Sequence, residues 1–211
     1  MGYSVILMKT ETAAILETAF ISTETFTQKA FKRWVERYSI KDVYHYELID
    51  GRIVMTPPAS WEHAEIGAKV VRILGNFVEK YNLGRVFDSS AGYDLPSGDT
   101  LEPDASFVSH DSWAKASQVR RDQFLKVPPN LVVEILFPAT AKRDRTEKRR
   151  IYETNGVDEY WIVDPDKREV TIFHLVEGQY DAGERFSTRQ KLRSRVLPGL
   201  EVPARTLFAR E

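Results

Sequence analysis

Apolar positions recur along this chain in two periods, and the switches between them outline its elements. Over residues 25–38, Phe26, Ala30, Phe31, Trp34 and Val35 fall at helical spacing, with Thr23 or Thr25 placed to cap the start. Two short runs, Tyr46-Glu47-Leu48-Ile49 and Arg52-Ile53-Val54-Met55, flank Asp50-Gly51, which signals a tight hairpin. Beyond Pro57-Pro58, Ser60 caps a helix predicted over residues 61–81, whose buried stripe is Ile66, Val70, Ile73, Leu74, Phe77 and Val78. Strand-like pieces follow at 85–88, 92–95 and 105–108, with a turn at Pro96-Ser97-Gly98-Asp99. After a polar segment containing Trp113, the most apolar stretch runs from Leu131 to Phe137 behind Pro128-Pro129. A helix predicted over 142–155 stops at Asn155-Gly156. Residues 160–164 and 169–176 read as strands, and Gly178 turns the second into a last polar hairpin. This order predicts an α/β fold with a central mixed sheet, flanking helices and antiparallel additions.

The 211 residues suit one domain. No repeat, low-complexity tract or interdomain linker divides residues 25–211, and residues 1–24 read as a variable lead-in. That lead-in carries Glu11 and Glu17 and lacks the cationic start and cleavage site of a signal peptide. No apolar run has the length of a membrane span. Cysteine is absent, which removes disulfides, thiolate metal sites and cysteine nucleophiles, and fits a cytoplasmic protein. A net charge of −1 means that any nucleic-acid contact must come from a local patch. Residues 141–150, AKRDRTEKRR, hold six basic side chains, and a second cluster spans 185–195. A solvated helix face would explain such a run equally well.

One acid breaks the apolar stretch. Glu134 sits among Leu131, Val132, Val133, Ile135, Leu136 and Phe137, where an unpaired carboxylate must shift its pKa, find a cation or bind a metal. Pro103-Asp104 lies at another predicted strand, and Lys148 on the following helix. Two strand-borne carboxylates and a lysine are the parts of a metal-dependent phosphodiester-cleaving site. Hard cations such as Mg²⁺ take oxygen ligands and keep places for water and phosphate, and a lysine stabilises developing charge. Each residue has a plainer explanation as well. Asp104 could be a turn residue after proline, and Glu134 half of a buried ion pair. Lys148 could pair on the surface with Asp144 at i,i+4, and Glu47 could lie on a solvated strand face. His63, in the first turn of its helix, suits capping or packing, and Asp164 suits a strand-end turn.

The segments YELIDGRIV (46–54), EPDASFV (102–108), VVEILFP (132–138), RDRTEKRRIY (143–152) and GVDEYWIVDP (156–165) together resemble the Uma-type family of restriction-endonuclease-like proteins, placed in the PD-(D/E)XK nuclease superfamily. The resemblance spans about residues 26–207. It implies a restriction-endonuclease-like fold and a Mg²⁺- or Mn²⁺-dependent hydrolase acting on DNA, with a homodimer as the simplest way to cut two strands. Pro103-Asp104 resembles the superfamily's PD and Glu134 its second acid. The lysine expected two places later is replaced by Leu136, and Lys148 is the matching, displaced position. Glu47 matches an additional metal-binding carboxylate, and His63 a polar helix position of accessory role. Arg143, Arg145, Arg149 and Arg150 become candidates for contacts to the DNA backbone. Phe137 departs from the family, which usually has serine there, and a bulky group would narrow the mouth of the site. A non-catalytic nucleic-acid- or protein-binding module on the same scaffold is the alternative. A glycoside hydrolase would use the paired acids but not the basic helix.

Overall fold

Asp50 and Gly51 take φ values of 48° and 73°, the left-handed pair that a two-residue hairpin turn requires. They join β2 (His45–Ile49) to β3 (Arg52–Thr56), with Leu48 opposite Ile53. The computed structural model describes residues 20–38, 43–116 and 124–208; most of the stretch read as a lead-in lies outside them. Its last part is described, and there β1 (Phe20–Ile21) adds to β3. With β5 (Tyr93–Asp94) and β6 (Thr100–Leu101) these strands form a small sheet in the order β1-β3-β2-β6-β5. Helix α1 (Gln28–Tyr38) covers one face of it, packing Phe31 against Tyr46, Leu48 and Ile53.

The larger sheet carries β4 (Gly84–Asp88), β7 (Ala105–Ser109), β8 (Leu131–Ile135), β9 (Glu159–Asp164), β10 (Glu169–Val176) and β11 (Gln179–Tyr180), in the order β11-β10-β9-β8-β7-β4. A further strand, β12 (Glu184–Ser187), also pairs with β10. Among the described strands only β8 and β9 run parallel, and a parallel pair needs a long crossover. The crossover is the predicted helix, with α4 (Ala141–Arg143) and α5 (Arg149–Thr154) on either side of one π turn, Asp144–Lys148. The larger sheet is therefore mixed, as the element order predicts, while the small sheet is antiparallel throughout. The chain closes with a separate hairpin, β13 (Lys191–Arg193) and β14 (Glu201–Pro203).

Alternation along β8 assigns its side chains to two cores. Leu131, Val133 and Ile135 face helix α2 (Trp61–Tyr81) and its stripe Ile66, Val70, Leu74 and Val78. Ser60 caps α2 by accepting a bond from the His63 N–H. Val132 and Leu136 face the other way, into a core with Ile151, Tyr152, Tyr160 and Ile162. Ile49 and Val54 of the hairpin enter that same core, so the small sheet and the crossover helix meet over the second face of β8. Glu134 shares the parity of Val132 and is enclosed where three elements converge.

Some elements escaped the sequence pattern. Helix α3 (His110–Lys115) lies in the segment read only as polar. It has no buried residue and is set by its cap, Ser109, which accepts from the Ser112 N–H. No described helix is long and apolar enough to cross a membrane.

Gly84 allows the edge strand β4 to lie against β7, its φ being +155°. A Cβ there would overlap the Val108 carbonyl oxygen. Gly84→Ala is expected to destabilise the fold by about 2 kcal/mol or more, measured by chemical denaturation; an unchanged midpoint would mean that β4 and β7 have room between them.

Candidate active site

Lys148 is the centre of a buried cluster. Its Nζ lies 2.8 Å from Glu47 Oε1, 3.0 Å from Glu134 Oε1 and 3.8 Å from Asp144 Oδ1. Each residue comes from a different part of the fold or a different turn: Glu47 from β2, Glu134 from β8, Asp144 and Lys148 from the two ends of the π turn. Lys148 and Glu134 are only 4% and 3% exposed, and Glu47 only 4%. The surface-pair explanation for Lys148 and the solvated-face explanation for Glu47 are thereby overturned. A strand buried on both faces has no solvated side, because α1 covers one face of the small sheet and the second core covers the other.

The π turn matters to this placement. In a regular helix of about 3.6 residues per turn, an i,i+4 row drifts around the axis. The wider i→i+5 turn offsets that drift, so Asp144, Lys148 and Tyr152 share one row facing β8. The Tyr152 hydroxyl donates to Glu134 Oε1 at 2.7 Å. Tyr160 donates to the Asp144 carbonyl oxygen at 2.9 Å, tying the π turn to β9.

Asp104 stands beside this cluster, just before β7. Its Oδ2 accepts the Ile135 N–H at 2.7 Å and lies 3.2 Å from His63 Nε2. His63 is thus drawn into the site by α2, in an ion-pair partnership with the acid that the PD motif marks. A second histidine–carboxylate pair borders it: His45 Nδ1 lies 3.3 Å from Glu102 Oε2, and the Glu102 N–H donates to Glu47 Oε1 at 3.0 Å. Sequence reasoning brought out Glu47, His63, Asp104, Glu134 and Lys148, and the fold brings all five to one cleft of about 260 Å³. It missed His45, Glu102, Asp144 and Tyr152. The signals were present in the spacing, since 144, 148 and 152 form an i,i+4 row and Glu102 and Asp104 share a strand parity. Phe137 does line the cleft, as the departure from serine suggests.

The charges of the cleft act on one another. Burial alone would lower the Lys148 pKa, but Glu134, Glu47 and Asp144 outweigh it and hold the ammonium well above its ordinary value. Lys148 is therefore a fixed cation. Burial, with Asp144, Asp104 and Glu47 nearby, pushes Glu134 well up against the opposing pull of Lys148. His45 is raised, chiefly by its bond to Glu102. Burial opposes the charged form of His63, yet its bond to Asp104 leaves it raised too. Burial first, and the neighbouring Glu47 after it, likewise raise the Glu102 carboxyl.

The arginines read as candidates for DNA-backbone contacts each have a partner within the chain, with the Arg145 and Arg150 side chains still 39% and 52% exposed. Arg145 bonds Asp164 at 2.6 Å, which also makes Asp164 the strand-end residue it was read as. Arg150 bonds both carboxylate oxygens of Asp50 at 2.7 Å. Arg149 lies over the Phe173 ring at 4.3 Å, and Arg143 is largely buried, 3.9 Å from Glu147. A helix that bridges two sheets uses its basic side chains to hold both, which charge counting along the sequence does not reveal.

Asp144 offers a test of these electrostatics. Burial, only partly offset by Lys148, raises its carboxyl from 3.8 to about 6, and its Oδ1 is buried with no hydrogen-bond partner among the described residues. The native state thus binds this proton more tightly than the unfolded chain, so the associated stability is complete below 3.8 and is lost as pH rises through about 6. Asp144→Asn, neutral at every pH, is expected to melt higher than the parent at pH near 8, with the gap closing toward pH near 4. A gap independent of pH in thermal melts would contradict the raised carboxyl.

A search of curated proteins finds no match. A crystal structure described as "a putative nuclease belonging to DUF820", from Anabaena variabilis ATCC 29413, matches with a TM-score of 0.70 at 17% identity, over 87% of this chain and 97% of that one. The likeness establishes that the two share a fold. The family model described as "Uma2: Putative restriction endonuclease" matches residues 30–205, which include the hairpin, both strand-borne acids and the crossover helix. The chain belongs to the Uma2 family.

Proposed function

We propose that this chain is a divalent-cation-dependent endonuclease that hydrolyses DNA phosphodiester bonds, with Mg²⁺ or Mn²⁺ as its cation. The observation that carries the proposal is the excess of negative charge in one cleft. Glu47, Glu102, Asp104, Glu134 and Asp144 gather around Lys148, with His45 and His63 at the border. Such an excess is costly to bury without a further cation.

The donors suit a hard cation. Among the described residues no group of three or more His, Asp or Glu is spaced as a complete metal cage. Mg²⁺ does not require one, since it commonly uses one or two carboxylates and keeps other places for water and phosphate. Asp104 Oδ1 and Glu134 Oε2 accept no hydrogen bond among the described residues and are not sealed from solvent, so both remain free to ligate. Asp104 and Glu134 would hold the cation. Glu47, whose Oε1 is shared by Lys148 and the Glu102 N–H, would assist as a third carboxylate. When bound, the cation supplies charge that polarises the phosphodiester and eases deprotonation of water.

The remaining steps belong to the chain's own residues. Lys148, held cationic by its carboxylates, stabilises charge that develops on the phosphoryl oxygens and orients the attacking water. It does not act as a base, since its proton is held too firmly. His63 and the Ile135 N–H fix the direction of Asp104, and Tyr152 fixes Glu134. The displaced lysine thus does from the helix what an E-x-K lysine would do from the strand, and Leu136 is free to fill the second core.

Supercoiled plasmid and single-stranded DNA, incubated with Mg²⁺ or Mn²⁺, are expected to be cut by the parent protein. Asp104→Asn and Glu134→Gln should lower the rate by about 100-fold or more and abolish any Mn²⁺-dependent rise in melting temperature. Activity unchanged in both variants would reject this site. No cleavage by the parent on either substrate would favour the non-catalytic binding module.

Lys148→Met is expected to lose activity and also about 3–5 kcal/mol of stability, because it leaves Glu47 and Glu134 buried without their cation. Denaturant unfolding beside the cleavage assay separates the two losses. A variant as stable as the parent would mean that the carboxylates are not charged around the lysine.

A further inference from the structure

Beyond the cleft walls, α2 begins with an indole that nothing covers. Trp61 is 75% exposed, more than any other large apolar side chain described. Its position is fixed by the fold. Pro57, Pro58 and Ala59, which lead into it, line the cleft, and so do His63 and Ala64 in the first turn of α2. Residues three apart on a helix are neighbours on its surface, so Trp61 lies next to Ala64, a lining residue, while itself outside the cleft lining. Ser60 caps this turn and makes the platform rigid. Phe137 contributes a second aromatic group inside the cleft.

The depth of the site restricts what can reach it. Glu134 and Lys148 lie at the floor, 3% and 4% exposed, beneath a cleft of about 260 Å³. A phosphodiester brought to them must carry its nucleotide into the opening, which a stacked and paired nucleotide does not do unless it is displaced. Among the described residues, each arginine of the crossover helix has a partner within the chain, so this helix offers a duplex backbone no row of unpaired cations. Stacking on aromatic faces needs no such row and tolerates any base.

We infer that the strand enters the cleft single-stranded, with an unpaired base stacked on Trp61 at the mouth. The inference rests on the nuclease reading for its choice of nucleic acid, and it makes Trp61 a positioning residue that selects unpaired DNA. A site fed by one strand also needs no second copy of the chain to complete its reaction.

Binding is tested without cleavage, in EDTA. Oligodeoxythymidylate is expected to quench the tryptophan fluorescence of the parent. Anisotropy of the labelled strand should show Trp61→Phe binding nearly as well and Trp61→Ala about tenfold more weakly, the share of one stacked base. A hairpin duplex of equal length should bind more weakly than the single strand and equally to all three proteins. Equal affinity for duplex and single strand, or unchanged binding by Trp61→Ala, would overturn the inference. The indole projects into solvent, so unaltered melting of Trp61→Ala confirms an intact fold. Since no metal or turnover is involved, a failure of cleavage rejects the nuclease reading without touching this result, and the converse holds as well.

Discussion

Everything in the site depends on one ammonium group placed among carboxylates that could not otherwise be buried together. Glu47 and Glu134 arrive on strands of two different sheets, and both direct Oε1 at Lys148 Nζ. Without that cation, the meeting of the small sheet and the larger one would bring two negative charges together out of water, which neither hydrogen bonds nor packing could offset. The lysine therefore joins the sheets as well as equipping the cleft. Glu134 is half of a buried ion pair, one of the explanations its sequence left open, and on the proposed reading the same lysine would serve both stability and chemistry.

The crossover helix makes this arrangement possible. A parallel pair of strands requires a long connection, and here the connection passes over Glu134 at the point where a lysine is needed. An E-x-K spacing would place the lysine just past the end of β8, two residues beyond the acid and on the same face. Leu136 occupies that place and packs into the second core instead. Moving the lysine to the helix changes its direction of approach, so its partners must change too: Glu47 comes from the hairpin opposite, Asp144 from one π turn earlier. The π turn keeps Asp144, Lys148 and Tyr152 in one row.

Local pattern reveals some of this more readily than the rest. The hairpin was legible because Asp50-Gly51 has a backbone preference with one good structural outcome, and the residues adopt it. Glu134 was legible because a carboxylate in a run of Val, Ile and Leu is an anomaly wherever the strand pairs. Asp144 was not, and Glu47 stood out only through the family resemblance, since each has an ordinary surface explanation until the partner element is known to lie over it. Burial of a half-polar strand is decided by what packs on its second face, and that is a property of topology. The arginines show the same limit from the other side. Six basic residues in ten suggest a cationic surface, but Asp50, Asp164 and Phe173, all distant in sequence, engage Arg150, Arg145 and Arg149.

That engagement has a consequence for how the cleft meets a polyanion. A protein that holds DNA by many phosphate contacts gains affinity from released counterions and loses it steeply with salt. Among the described residues, the basic side chains that line the cleft are Lys148, which is buried, and two histidines that face carboxylates. On the proposed reading, attraction to a strand would be concentrated at the reacting phosphate and at the apolar rim. Specificity would then follow from access, favouring a strand flexible enough to place one phosphodiester on the cleft floor. On the same reading, acidic groups that favour a divalent cation would disfavour any bare phosphate, single- or double-stranded, so strand selectivity would have to come from access and stacking and not from charge.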